Sequence, residues 1–228
     1  MINVLIFNLL CGVFLTNVNN VSKESMCLDQ KEIKSILALG DSYTIGESVS
    51  ESERWPVQLQ KAISAENNQE IDLKIIATTG WRTDDLRSAV EEESLLEKYD
   101  LVTLLIGVNN QYQNKPMEEY PLEFEECLQQ AIGYARNVED VIVVSIPDYA
   151  YTPFGQKKSP DKISKELDEY NATNKEISKK YGVKYVYITD ITRRGIEEPG
   201  LVANDGLHPS GTCYKEFIPR IISAINGE

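Results

Sequence analysis

From residue 33 onward the chain alternates short, almost wholly apolar runs with longer stretches whose apolar positions recur every three or four residues. The short runs are "IKSILAL" (33–39), "IDLKIIAT" (71–78), "LVTLLIG" (101–107), "VIVVSI" (141–146) and "VKYVYIT" (183–189). VIVVSI and LVTLLIG are apolar at nearly every position, the pattern of strands covered by helices on both faces. Between and after these runs the helical period predicts helices over 54–67, 83–99, 121–137, 162–182 and 212–225. Thr83 followed by Asp84 and Asp85 opens one of them, with acid side chains at the positive end of the macrodipole. Gly182 closes another, and Pro219 predicts a kink in the last. Strand–helix alternation of this kind predicts a parallel five-stranded sheet with right-handed crossovers, a three-layer α/β/α sandwich.

The 228 residues suit one domain with a full core, and no Pro/Ser/Gly-rich linker interrupts them. The expected organisation is an N-terminal apolar segment (1–30) followed by that domain (31–228). The segment "MINVLIFNLLCGVFLTNV" is broken by Asn8 and is short for a membrane span. No Lys or Arg precedes it, no small-x-small site follows, and Leu10 stands before Cys11 where a lipoprotein signal calls for a small residue. Two readings stay open: an export or anchoring segment, or an extra apolar helix packed on the domain. The expectation is export, to a periplasm, the exterior or a membrane anchor, with a cytoplasmic protein as the alternative. Membrane contact is expected only through this segment.

Charge narrows the partners. With 23 Lys and Arg against 36 Asp and Glu, the net charge is −13, and no basic cluster offers a nucleic-acid surface. Such a chain repels anions at long range, so a neutral or zwitterionic small molecule is the expected substrate. The cysteines at 11, 27, 127 and 213 form no C-x-x-C, and the single histidine excludes a multi-histidine metal site.

In open parallel sheets, sites form outside the carboxyl ends of the strands. Gly40-Asp41-Ser42 follows the first strand, Thr78-Thr79-Gly80-Trp81 the second and Gly107-Val108-Asn109-Asn110 the third. "NDGLHPSG", with Asp205 and His208, precedes the last helix. Each taken singly has an ordinary reading as a turn, cap or packing residue. Together they suit acyl transfer. Serine needs a base to take its proton, and imidazole has the suitable range. A carboxylate three residues before His208 can reach one ring nitrogen while the other faces Ser42. The N–H groups of Ser42 and Gly80 and the Asn109 amide can then receive the oxyanion. Asp41 is expected to tie down the turn beneath Ser42.

The blocks GDSY (40–43), TTGW (78–81), GVNN (107–110) and DGLHPS (205–210), in this order, resemble the SGNH/GDSL hydrolases, a family of esterases and lipases. The resemblance implies a flavodoxin-like sheet and metal-independent, cofactor-free ester hydrolysis through an acyl-enzyme. It implies Ser42 as nucleophile, with Asp205 and His208 completing the triad and Ser42, Gly80 and Asn109 forming the oxyanion hole. Tyr43 replaces the leucine of the family's name, and Asn110 stands where many members have aspartate. Tyr43, Trp81 and Tyr112, with Ile45 and the loop 147–155, are expected to line the substrate pocket. Short acyl or acetyl esters, including lysophospholipid or sugar esters, are the expected substrates. Ser42 lacks the G-x-S-x-G elbow of α/β-hydrolases, and the chain lacks phosphate-loop and dinucleotide signatures. A non-catalytic carbohydrate- or lipid-binding module on the same fold is the alternative.

Overall fold

A computed structural model describes residues 32–227. The apolar segment 1–30, with Cys11 and Cys27, lies outside the described residues. Among the described residues no helix is long and apolar enough to cross a membrane.

Strand β1 (Ser35–Gly40) runs into the short helix α1 (Ser42–Ile45). Helix α2 (Trp55–Asn67) leads to β2 (Asp72–Ala77), and α3 (Thr83–Glu92) to β3 (Leu101–Leu105). Helices α4 (Val108–Tyr112) and α5 (Tyr120–Tyr134) precede β4 (Val141–Val144), and α6 (Pro160–Tyr181) precedes β5 (Lys184–Val186). The short α7 (Thr189–Thr192) and α8 (Gly211–Asn226) follow. The strands form one parallel sheet in the order β2-β1-β3-β4-β5, the parallel five-stranded sheet the alternation predicted in the flavodoxin-like order the resemblance implied. Every residue of β1, β3 and β4 is buried, whereas the edge strands β2 and β5 are partly open. α2 packs with α8, while α3, α5 and α6 pack in succession, and both groups cover the sheet. Trp55, Phe124 and Phe217 are fully buried between the layers.

Two elements end well short of their expected spans, and a third carries the expected proline. α3 stops at Glu92 instead of reaching residue 99. Glu91, Glu92 and Glu93 there set three carboxylates at the negative end of the macrodipole, which opposes further helix. β5 keeps three residues because Ser145 Oγ accepts the N–H groups of Ile188 and Thr189 at 2.8 and 3.2 Å, drawing them out of the ladder. α8 continues through Pro219 without a break in its span.

Candidate active site

The chain leaves β1 for β2 on one side and returns to β3 on the other, so the crevice of the sheet opens between β1 and β3. Gly40 pairs with Ala77 and with Leu105, which brings the ends of the three strands to one height. Ser42, Gly80 and Asn109 stand two, three and four residues beyond these ends. Register therefore sets the three segments at the same edge of the sheet.

At Gly40 a Cβ would lie 2.1 Å from Thr44 Oγ1 and 2.5 Å from the Leu105 carbonyl oxygen. Only glycine lets α1 fold back this tightly over β1. Asp41 caps α1, its Oδ1 accepting the Tyr43 N–H at 3.0 Å, as the sequence led us to expect of it. The other carboxyl oxygen is buried and has no hydrogen-bond partner among the described residues. Burial pushes the Asp41 carboxyl up to about 7, outweighing the opposing effect of the Tyr43 N–H. Its folded-state value is thus above the ordinary 3.8, so the folded protein holds this proton where the unfolded chain has lost it. Stability therefore declines as pH rises between about 4 and about 7 and levels off above. Asp41→Asn keeps the acceptor and removes the charge. Its melting temperature is expected to exceed that of wild type at about pH 8, with the advantage vanishing near pH 4. Thermal melts across that range would refute this if the advantage grew toward acid.

Gly80 sits at the third position of the turn Thr78–Trp81, closed by the Trp81 N–H donating to the Thr78 carbonyl at 3.2 Å. Its φ is +88°, where glycine is favoured, and a Cβ there would meet nothing within 4 Å. The glycine serves the dihedral and leaves its face open to an approaching molecule. Asn109 is 9% exposed and donates from Nδ2 to the Trp81 carbonyl at 2.9 Å, which sets the plane of its amide. Asn110, one residue on, is wholly buried and does different work. Its Oδ1 accepts the Thr83 N–H at 3.2 Å, and its Nδ2 donates to Thr83 Oγ1 at 2.7 Å and Glu123 Oε2 at 2.9 Å. Asn110 thereby fastens α4 to the start of α3.

Asp205 and His208 meet as their spacing allows, with Nδ1 to Oδ2 at 2.6 Å. Oδ1 accepts the N–H groups of Leu207 and His208 at 2.9 and 3.0 Å. Oδ2 also accepts Ser48 Oγ at 2.7 Å. Burial pushes the Asp205 carboxyl up, but the bonds from His208, Ser48 and the backbone outweigh it and hold it down at about 2. An ionised carboxylate makes Nδ1 the donor and leaves Nε2 as the basic nitrogen. The imidazole stands edge-on to the Tyr43 ring, centroids 5.8 Å apart, which sets it beside the segment that carries Ser42. Cys127 and Cys213 are buried thiols pushed up to about 12 by that burial, so neither supplies a thiolate.

The aromatic residues of the expected pocket take different places. Tyr43 is 2% exposed and supports the imidazole from within the core. Trp81 is half-buried against the core. Tyr112 is 49% exposed and packs on Tyr149 and Phe154, with centroids 6.1 and 6.2 Å away. Tyr149 is anchored by its hydroxyl, which donates to Gln111 Oε1 at 2.8 Å. The loop carrying Tyr149 and Phe154 is held by the fully buried Asp148, which accepts Arg193 Nε at 2.9 Å and Ser164 Oγ at 2.6 Å. A cavity of about 540 Å³ adjoins Phe154, Lys157, Val202, Asp205 and Gly206. Sequence reasoning missed Ser48 and the bracing role of Asn110, because neither partner lies near them along the chain.

Known proteins resemble this chain in sequence and in fold. The model of the GDSL-like Lipase/Acylhydrolase family matches residues 38–215. The chain is 26% identical over 217 residues to an uncharacterized protein, YpmR, of Bacillus subtilis (strain 168), covering 87% of this chain and 84% of that one. A lipase/acylhydrolase from Enterococcus faecalis superposes with a TM-score of 0.65 at 24% identity, over 86% of this chain and 96% of that one. A variant of Axe2, an acetyl xylan esterase from Geobacillus stearothermophilus, gives a TM-score of 0.65 at 18% identity, over 86% of this chain and 95% of that one. These two likenesses establish the parallel α/β fold.

Proposed function

The chain belongs to the GDSL-like lipase/acylhydrolase family, and from that premise we propose that it cleaves carboxylic esters through an acyl-enzyme formed on Ser42. The observation that carries this reading is the 2.6 Å contact between Asp205 Oδ2 and His208 Nδ1, on a ring seated beside the Ser42 segment. Nε2 takes the hydroxyl proton as Oγ attacks the ester carbonyl, and the ionised Asp205 stabilises the imidazolium that forms. Negative charge on the carbonyl oxygen meets the N–H groups of Ser42 and Gly80 and the Nδ2 hydrogen of Asn109 not engaged by Trp81. Collapse expels the alcohol with the proton from Nε2. A water molecule, deprotonated by the same nitrogen, then releases the acid.

Tyr112 follows Asn109 by three residues on α4, and i,i+3 positions share a helix face. The exposed Tyr112 ring, backed by Tyr149 and Phe154, is our choice for the wall that contacts the substrate beside the oxyanion. Tyr43 acts indirectly, through His208. Short acyl and acetyl esters are the preferred class, in keeping with the acetyl ester that the Axe2 name specifies for that protein. A panel of p-nitrophenyl esters of increasing chain length should show the highest kcat/KM at short acyl groups. A preference for long chains would overturn that choice. An export or anchoring role for segment 1–30 belongs to the same proposal, and mass spectrometry of the secreted and membrane fractions tests it. The non-catalytic binding alternative predicts turnover equal to that of the Ser42→Ala variant.

A further inference from the structure

Ser48 combines an uncommon backbone with a long-range contact. Its φ is +65°, a region that L side chains other than asparagine seldom adopt. The other two non-glycine residues of positive φ among the described residues are asparagines, Asn68 and Asn114. A serine held there needs a reason, and its hydroxyl supplies one. Ser48 Oγ donates at 2.7 Å to Asp205 Oδ2, across 157 residues of sequence, and this is the oxygen that accepts His208 Nδ1. The Asp205 side chain is 29% exposed, and while two backbone N–H groups hold Oδ1, water competes with His208 Nδ1 for the lone pairs of Oδ2 unless another group fills the place. Ser48 lies in the segment that leaves α1, where the Glu47 N–H donates to the Ser42 carbonyl at 2.9 Å. A single hydroxyl thus joins the segment of the nucleophile to the loop of the acid.

We propose that Ser48 is a positioning residue that fixes the Asp205 carboxylate against His208 and ties both to the nucleophile's segment. The proposal rests on the ester-hydrolase reading above. Its action is through Asp205, with no contact to substrate, so it bears on kcat and leaves KM unchanged.

Ser48→Gly and Ser48→Ala both remove the hydroxyl but treat the backbone oppositely. Glycine relieves the positive φ, and alanine retains it. Both variants are expected to lose kcat to the same extent, about three- to tenfold for an exposed bond to a charged group, with KM unchanged. Their melting temperatures should diverge, with the glycine variant at or above wild type and the alanine variant below it. His208 is the one histidine of the chain, so its Nδ1–H proton resonance is readable without assignment. That signal is expected to broaden in both variants through faster exchange with water. A kcat at the wild-type value in Ser48→Gly, or losses of kcat that follow melting temperature, would overturn the proposal. If the native protein hydrolysed no ester at all, the catalytic reading would fail. The Nδ1–H comparison would then decide the Ser48 contact alone: broadening supports it and an unchanged signal rejects it.

Discussion

Ser42→Ala is expected to reduce kcat for ester hydrolysis by roughly 10⁴–10⁶-fold, the scale seen when a nucleophile acting as part of a unit is removed. The melting temperature should stay within about 2 °C of wild type, because one hydroxyl leaves and no cavity larger than an oxygen forms. α1 is held by bonds that this substitution does not touch. Asp41 Oδ1 takes the Tyr43 N–H, and the Ser42 carbonyl accepts the N–H groups of Gly46 and Glu47. Hydrolysis of p-nitrophenyl acetate by the purified variant is the measurement. Turnover comparable to wild type would remove Ser42 from the mechanism. His208→Ala should do similar damage, since no second imidazole exists in the chain to take the proton.

The adjacent asparagines offer the second large effect, and they should fail in opposite ways. An amide that meets charge only as it develops in the transition state affects kcat far more than KM. Asn109→Ala is accordingly expected to lower kcat by roughly 10²–10³-fold with KM little changed. Its stability loss should be about 1 kcal/mol, for the single bond to the Trp81 carbonyl. Asn110→Ala strands the buried Thr83 N–H and removes one of the bonds to Glu123, which keeps that from the Thr83 hydroxyl. It should cost about 2–3 kcal/mol, a fall of roughly 5–10 °C in melting temperature, with kcat at permissive temperature near normal. Steady-state kinetics and thermal melts on the pair separate the two roles. Equal losses of kcat in both variants would show that Asn109 is not the donor.

Much of the fold was legible because hydrophobic period is a local property. The apolar runs at 33–39, 101–107 and 141–146 lie where β1, β3 and β4 are buried at every position, and the alternation with helices leads to the parallel sheet observed. The Asp205–His208 contact was legible for the same reason, since three residues of chain suffice to close it. Asp41 as a cap and Gly182 as a helix end are local chemistry too. Where elements end was less legible. β5 stops early because Ser145, on a neighbouring strand's extension, captures two N–H groups that periodicity assigned to the ladder.

The tertiary structure alone decided how the site is braced. Tyr43 and Tyr112 are both aromatics near strand ends, yet one is buried beneath the imidazole and the other stands half in solvent. Which happens depends on the packing partners of the loops at 147–155 and 203–208, and no spacing within either block records it. Ser48 and Asp205 are 157 residues apart, and Asn110 meets Thr83 across 27. Single polar contacts of this kind have no repeating signature along a chain. They exist because register brings the ends of β1, β2 and β3 to one level, and the crevice between β1 and β3 gathers the loops that leave those ends. The sequence by itself determined the candidates for the chemistry, and that Ser42, Gly80 and Asn109 follow strand ends while Asp205 and His208 share one turn before the last helix. Only the packed sheet decided which neighbours hold them in place, because that depends on distances between segments that periodicity does not encode.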